Sequence, residues 1–419
     1  MKKPWFFSVL LTLVITAALA KGMSAQASPP LFDEQSQVSM IDGLPFRAEW
    51  LTDGVEGLFG AKGSLALSQD DAGNPFIAFV KHTSNDIHYT LYFAEPVGSG
   101  GNCTADGRWK CTQVAVSTDA IMSLSIDYYT STQPDTIKIY GIAYYNKDDH
   151  TIRYARKSCV SSGECVWNEE NAVSSPHAGY NGLSLQFDKD GNPQIFYTTY
   201  YPGLLSTSVR LATKITNSWS NVELDWGSSS TYSYFAPILE IDSSGRWGAA
   251  VRNASGAITY IRPAPGGPGT GTCTNTNYTC YDLEPSGKSQ AQISITWADS
   301  EVYAPQIAYV KEEQGYAYLH YAYMVQDPTD TSANCGQERG AGSSSYKWNC
   351  SEIFTVGAAP TNASYIPING VALAIDVQGD PVIAYQRTNV EAKGLFLAYP
   401  ALSGNCGPQV SSLSASESS

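Results

Sequence analysis

The stretch "GNPFIAFV", residues 73–80, decides how this chain is read, because close variants of it return downstream. "GNPQIFYT" stands at 191–198, "APQIAYVK" at 304–311 and "GDPVIAYQ" at 379–386. Recurrence at intervals of tens of residues marks a repeat architecture. Six units align on one position, held by Pro75, Tyr140, Pro193, Trp247, Pro305 and Pro381, at intervals of 65, 53, 54, 58 and 76 residues. Such intervals are too long for small solenoid repeats and suit four-stranded propeller blades.

Each unit opens with an alternating segment: "SLALSQD", "SLSID", "GLSLQFD", "PILEID", "ISITW" or "VALAID". Leu65 and Leu67, Leu183 and Leu185, and Leu373 and Ile375 point one way, with small residues such as Ala66 and Ser184 on the other face. That period of two predicts an inner strand beside a crowded axis. A turn follows, written "DDAGNP", "DKDGNP", "DSSGRW" and "DVQGDP", in which Asp opens the turn and Gly supplies a positive φ. The second strand is the P-x-I-A-Y element. The third reads "IHYTLYFA", "IRYA", "VRLA", "ITYI", "LHYA" or "LFLA", and the fourth carries a Trp or Cys near its start.

The expected fold is therefore all-β, a six-bladed β-propeller of four-stranded antiparallel blades. The sixth unit lacks a fourth strand of its own, and "FRAEWLTDGVEG" at 46–57 resembles one, with Trp50 where Trp109 and Trp348 stand. Pairing this N-terminal strand with the last blade closes the ring and removes two open edges. A pair of β-sandwiches is the rival architecture, but it has no need of six similar units. The domain reading is a leader at 1–27, a linker at 28–45, the propeller at 46–408 and a Ser-rich tail at 409–419.

Composition agrees with a large β domain: 419 residues, 43% of them apolar and only 15% charged, with 27 Tyr and 9 Trp. A formal charge of −14 excludes nucleic acid as the expected partner, since phosphate binding needs a basic surface. The opening "MKKPWFFSVLLTLVITAALAKGMSAQA" reads as a secretory signal, with Lys2 and Lys3 before an apolar run and Ala25-Gln26-Ala27 as the cleavage site. Ala18-Leu19-Ala20 is a second possible site, and a membrane anchor is the rival reading of the run. The mature protein is expected to be exported, to the periplasm, the cell surface or the medium, with no membrane insertion.

Eight of the nine cysteines fall in pairs, Cys103 with Cys111, Cys159 with Cys165, Cys273 with Cys280 and Cys335 with Cys350. Each pair straddles the hairpin between the third and fourth strands of its blade. Spacing alone leaves connectivity open, but partners at corresponding hairpin positions lie opposite one another, within disulfide reach. Cys406 is left over, which leads to a mainly monomeric protein with a minor Cys406-linked dimer. A zinc site is the weaker reading of these cysteines, since no C-x-x-C pair occurs. "DKDGN" at 188–192 hints at a calcium loop, but its counterparts "DSSGR" and "DVQGD" read as structural turns. No cofactor and no metal ion is expected.

The repeat, read as "SLALD..GNP.IAY......L.YA", resembles that of secreted bacterial β-propellers, and more loosely the sialidase-like superfamily, over roughly 63–406. The resemblance implies the architecture more than an activity. No full Asp-box, S-x-D-x-G-x-x-W, occurs, and no motif locates an arginine triad or a Tyr/Glu pair, so sialidase activity does not follow. G-x-S-x-G, H-E-x-x-H and phosphate-cradling glycine loops are also missing.

One further pattern points to a site. Six residues beyond the shared position stand Lys81, Asn146, Thr199, Asn253, Lys311 and Arg387, with Arg252 adjoining. Four of six blades thus place a base at one strand exit, in a chain poor in bases. The bland alternative is that such residues blunt strand ends in solvent. The functional one is a cationic rim for a carboxylated or sulfated glycan. Loops on the same face carry Tyr180, Tyr200, Tyr201, Tyr232, Tyr234 and Tyr365, whose rings suit stacking on sugars as well as packing. The leading expectation is a non-catalytic extracellular binding module for glycans or a surface protein. A glycoside hydrolase or lyase with dispersed residues is second, and a structural component of a surface assembly third.

Overall fold

A computed structural model of the protein describes residues 37–40, 65–82, 88–103, 107–131, 137–159, 165–176, 178–201, 206–227, 235–242, 244–252, 257–283, 293–297, 305–313, 316–325, 332–340, 346–356, 368–375, 381–387 and 394–399. Every regular element among them is a β-strand. After β1 (Gln37–Met40), a first group comprises β2 (Leu65–Gln69), β3 (Pro75–Lys81), β4 (Tyr89–Pro96) and β5 (Trp109–Ser117). The second is β6 (Ile121–Ser131), β7 (Ile137–Asn146), β8 (Thr151–Cys159) and β9 (Cys165–Ser174). The third is β10 (Ala178–Phe187), β11 (Pro193–Tyr201), β12 (Ser206–Ile215) and β13 (Ser218–Gly227). The fourth is β14 (Phe235–Ile241), β15 (Trp247–Arg252), β16 (Ile258–Pro263) and β17 (Tyr278–Asp282). The fifth holds β18 (Ser294–Trp297), β19 (Pro305–Glu313), β20 (Tyr316–Met324), β21 (Cys335–Glu338) and β22 (Tyr346–Val356). The last is β23 (Ile368–Ile375), β24 (Pro381–Arg387) and β25 (Gly394–Tyr399).

Within every group but the fifth the strands pair antiparallel in sequence order, as alternating segments joined by tight turns should. The Asp turns explain the sharpness of the first hairpin. Asp70 Oδ1 accepts the N–H groups of Ala72 (3.0 Å) and Asn74 (2.9 Å). Asp188 and Asp242 do the same for residues two and four further on. Gly73, at φ 79°, takes the left-handed position of its turn. Asp188 is thereby occupied as a turn acceptor, with the Asn192 side-chain amide also donating to it.

The fifth group departs from four simple strands. The span between Cys335 and Cys350 is long enough to carry β21, which pairs with β22 on one side and, through Gln337 and Glu338, with β17 on the other. The fourth and fifth groups therefore share one nine-stranded sheet. Arg339 anchors this bridge, donating to Asp225 (2.6 Å) and Asp282 (2.9 Å). Four disulfides are present, Cys103–Cys111, Cys159–Cys165, Cys273–Cys280 and Cys335–Cys350, the pairs singled out by repeat phase.

At the N-terminus, β1 pairs antiparallel with β25, from Gln37 opposite Tyr399 to Met40 opposite Phe396. The segment paired there precedes 46–57, the stretch from which the sequence reading draws its closing strand. Residues 46–57 lie outside the described residues, as does Cys406.

Successive groups meet face to face through apolar clusters, five among the described residues. In each, the first strand of one group packs on the second and third strands of the group before it. Leu183 and Leu185 thus lie with Ala143, Ile152 and Tyr154. An aromatic pair recurs at three junctions. Trp167 meets Phe93 edge-on at 5.2 Å, Trp219 meets Tyr154 at 5.5 Å, and Trp348 meets Tyr260 at 5.0 Å. Gly141 is forced by this packing: a Cβ there would stand 2.7 Å from the Phe187 ring.

The small residues of the first strands have a more specific role than filling a crowded axis. Ser125 Oγ accepts the N–H of Leu185 (2.9 Å), Ser184 Oγ that of Leu239 (3.0 Å) and Ser294 Oγ that of Leu373 (2.9 Å). Adjacent first strands have backbone groups with no ladder partner on that side, and a short hydroxyl satisfies them.

Candidate functional site

These serine bonds join equivalent positions of successive groups, so the first strands all run the same way. The exits of the second strands therefore gather at one end of the molecule. Lys81 closes β3, Asn146 closes β7, Tyr201 closes β11, Arg252 closes β15 and Arg387 closes β24. Lys311 stands two residues before the end of β19, directly opposite Tyr318. The side chains of Tyr200, Tyr201 and Arg387 are not among those described, and Tyr232, Tyr234 and Tyr365 lie outside the described residues altogether.

The residues at this shared register have diverged in role. Lys81 and Lys311 are half-buried. Asn146 is buried and accepts the Ser117 hydroxyl proton (2.9 Å) and the Asp148 N–H (3.0 Å), tying the first group to the second. Thr199 is buried. Arg252 is half-buried like the two lysines, and burial lowers its guanidinium pKa.

Among the described residues, Tyr180 is an exposed aromatic of this end, 46% accessible. A register shift between Ala178 and Leu183, with Gly179 at φ 79°, lifts it from the start of β10. Its ring meets Tyr145 edge-on at 5.8 Å. The Tyr145 ring is buried, with its hydroxyl 3.0 Å from His150 Nδ1. Burial raises the Tyr145 pKa, and Tyr180, Asp119 and Asp149 add to the effect, so its hydroxyl keeps its proton. Nearby, Asp119 accepts the Ala120 N–H (2.7 Å) and pairs with Lys147 at 3.2 Å. The Ala120 bond and Lys147 hold Asp119 below the ordinary carboxylate value against a smaller effect of burial. On the first group, His82 stacks on Tyr89 at 4.2 Å, next to Lys81.

Tyr145 thus links the exposed Tyr180 ring to the His150 imidazole, and Asp119 links the start of the second group to Lys147 in the same hairpin as His150. The ring offers an apolar face with a hydroxyl, and the charged pair offers donors and acceptors. Of these, only Tyr180 was singled out by the sequence. Lys147 and His150 stand in "YYNKDDH", and the register of Asn146 with Lys81 was the signal that could have drawn attention to that turn.

Two carboxylates occur at equivalent places on first strands. Asp127 Oδ2 accepts the Phe187 N–H (2.7 Å). Glu240 is half-buried, and burial, with the Asp127 charge adding to it, raises its pKa well above the ordinary value. Asp225, Cys273 and Cys280 approach one another closely, but the cysteines are bonded together and Asp225 receives Arg339 and Thr274.

No protein-family model matches the chain, and no curated protein matches it. Among solved structures it is similar to an alpha-L-arabinofuranosidase of Fusarium graminearum, at 8% identity and TM-score 0.45, over 84% of this chain and 96% of that one. A fucose-specific lectin from Aleuria aurantia matches at 12% identity and TM-score 0.42, over 83% of this chain and 98% of the lectin. A protein of unknown function from Dyadobacter fermentans matches at 9% identity and TM-score 0.44, over 86% and 98% of the two chains.

Proposed function

We propose that the six strand groups are blades of a β-propeller, exported from a bacterial cell, that binds glycans through the end where the second strands exit. The observation that carries this reading is the exposed ring of Tyr180 set edge-on against Tyr145, whose hydroxyl meets His150, with the Asp119–Lys147 pair two residues along from Tyr145. Lys81, Lys311 and Arg387 at the same end favour acidic sugars over neutral ones. Four disulfides and the leader-like start support a site of action outside the cytoplasm.

A glycan array probed with residues 28–419 tests the proposal. Tyr180→Ala is expected to weaken the strongest hit about tenfold or more, the size of effect for one stacked ring with its hydrogen bond. Lys81→Ala with Lys311→Ala is expected to weaken an acidic hit more than a neutral one. Unchanged affinity in Tyr180→Ala sinks the site, and equal losses for both sugars reduce the bases to a solvated edge. A second reading, hydrolysis of a bound glycan, rests on Glu240, whose pKa burial raises, the direction a general acid needs. Release of reducing ends from the array hits, abolished by Glu240→Gln, would favour it.

A further inference from the structure

The second and third groups carry different polar side chains at three equivalent positions near the exits of their second strands. Tyr145 and Thr198 stand five residues beyond the shared position, and Asn146 and Thr199 six. His150 and Thr207 each lie two residues before the ladder partner of the first pair, since Tyr145 pairs with Ile152 and Thr198 with Val209. In the second group all three are satisfied by protein. Tyr145 meets His150 (3.0 Å), and Asn146 accepts from the Ser117 hydroxyl (2.9 Å) and the Asp148 N–H (3.0 Å). In the third group Thr198 and Thr199 are 1% accessible and Thr207 0%. None of the three hydroxyls has a hydrogen-bond partner, and no other threonine among the described residues is left in that state.

The strand pattern gives the direction of each hydroxyl. Phe196 and Val209 pack with Leu239 and Val251 of the fourth group. Thr198 follows Phe196 by two residues and Thr207 precedes Val209 by two, so both share that face on neighbouring strands. Asp225, opposite Val209 on the same face, is already taken by Thr274 and Arg339. Thr199 lies on the other face, opposite Ala178 and two residues along from there to Tyr180. A buried hydroxyl without a partner destabilises the fold, so these call for a polar group from outside the chain. Uncharged hydroxyls that both donate and accept suit water and the hydroxyls of a sugar.

We propose that this end of the third group is a second subsite, specific for sugar hydroxyls and filled by water in the free protein. Thr198 and Thr207 together hold one hydroxyl of the glycan, and Thr199 holds another on the side of Tyr180. The proposal rests on the glycan reading for the identity of the ligand, but not for the presence of a polar occupant. Tyr180 supplies stacking, and the threonines supply discrimination. A deoxy sugar leaves Thr198 and Thr207 buried and unpaired, and a site built on buried polar groups rejects such a ligand strongly.

Two variants test it, Thr198→Val with Thr207→Val, and Thr199→Val alone. Both keep the branched shape and remove the hydroxyls. In the free protein the urea midpoint of the double variant is expected to fall, because valine breaks bonds to water. A midpoint that stays or rises shows that the hydroxyls were bare and overturns the proposal. Against the strongest hit of the glycan array, each variant is expected to bind on the order of tenfold more weakly than the parent. Among monodeoxy derivatives of that hit, the parent is expected to reject one that the double variant no longer distinguishes. The same deoxy preference in parent and double variant overturns the proposal. Threonine variants that bind as the parent does, while Tyr180→Ala binds weakly, refute the subsite alone. A lowered midpoint in a protein with no Tyr180-dependent hit refutes the glycan reading, and with it the sugar as occupant.

Discussion

Lys157 offers the clearest quantitative test of how the groups are held together. Its ammonium lies 2.5 Å from Glu95 of the preceding group, with the Lys side chain 5% accessible and the Glu side chain 23%. It also stands 4.6 Å from the centre of the Phe93 ring and 5.1 Å from that of Tyr140. Breaking a buried pair by removing one partner costs about 3–5 kcal/mol, because the other charge is left without compensation. Lys157→Met keeps the stem against the rings and leaves Glu95, which is partly open to water, so about 2–3 kcal/mol is expected. Glu95→Gln leaves the more deeply buried charge and should cost about 3–4 kcal/mol. Burial already lowers the Lys157 pKa, opposed by the Glu95 bond. The unfolded chain therefore binds more protons below the free-lysine value of 10.5, and stability gains as pH rises toward it. The Glu95→Gln deficit should shrink over that range. The double substitution Glu95→Gln with Lys157→Met removes both charges and should cost less than either single substitution. Urea unfolding of the four proteins, followed by Trp fluorescence, gives the coupling energy. Additive effects, or singles each within about 0.5 kcal/mol of the parent, would show that the pair is solvated and the reasoning wrong.

The strands were legible because their signals are local. Proline at the head of the second strand, alternation in the first, and Asp with Gly between them each act within a few residues, and six similar copies fix the phase. The cysteines were legible for the same reason, since phase placed each pair across one hairpin. What the sequence hid depends on neighbours from other groups. Ser125, Ser184 and Ser294 read as small, but their acceptor role appears only when the next first strand comes alongside. Arg252 reads as an exposed base, yet adjacent structure half-buries it. The cluster at Tyr180 is assembled by turns near residues 119, 147 and 180, too far apart along the chain for any motif to join them. The closing strand was sought at 46–57 on the strength of Trp50, whereas the pairing on β25 is made by "QVSM" at 37–40, four residues with no such marker.

Two predictions remain. Asp70 and Asp242 each hold a pKa below 3.8, where burial, which raises it, is outweighed by hydrogen bonds from their own turns. Their contribution is fully present above that value and is lost as pH falls through the lower folded pKa, so stability should decline below about pH 4 and Asp70→Asn with Asp242→Asn should flatten the decline; identical acid profiles would remove the turns from the account. The other concerns Cys406, the ninth cysteine of a chain whose other eight are bonded in pairs. An oxidising compartment leaves such a thiol two fates, shielding within the fold or a bond to another molecule. One cysteine links two chains and no more, so the second fate gives a dimer and never a filament. The protein is expected to run as a monomer with a minor dimer on a non-reducing gel, and Cys406→Ser should abolish that dimer without altering the monomer's unfolding. A dimer that persists in Cys406→Ser must use one of the eight paired cysteines. In that case a hairpin disulfide opens in solution, and the match between repeat phase and cysteine pairing fails with it.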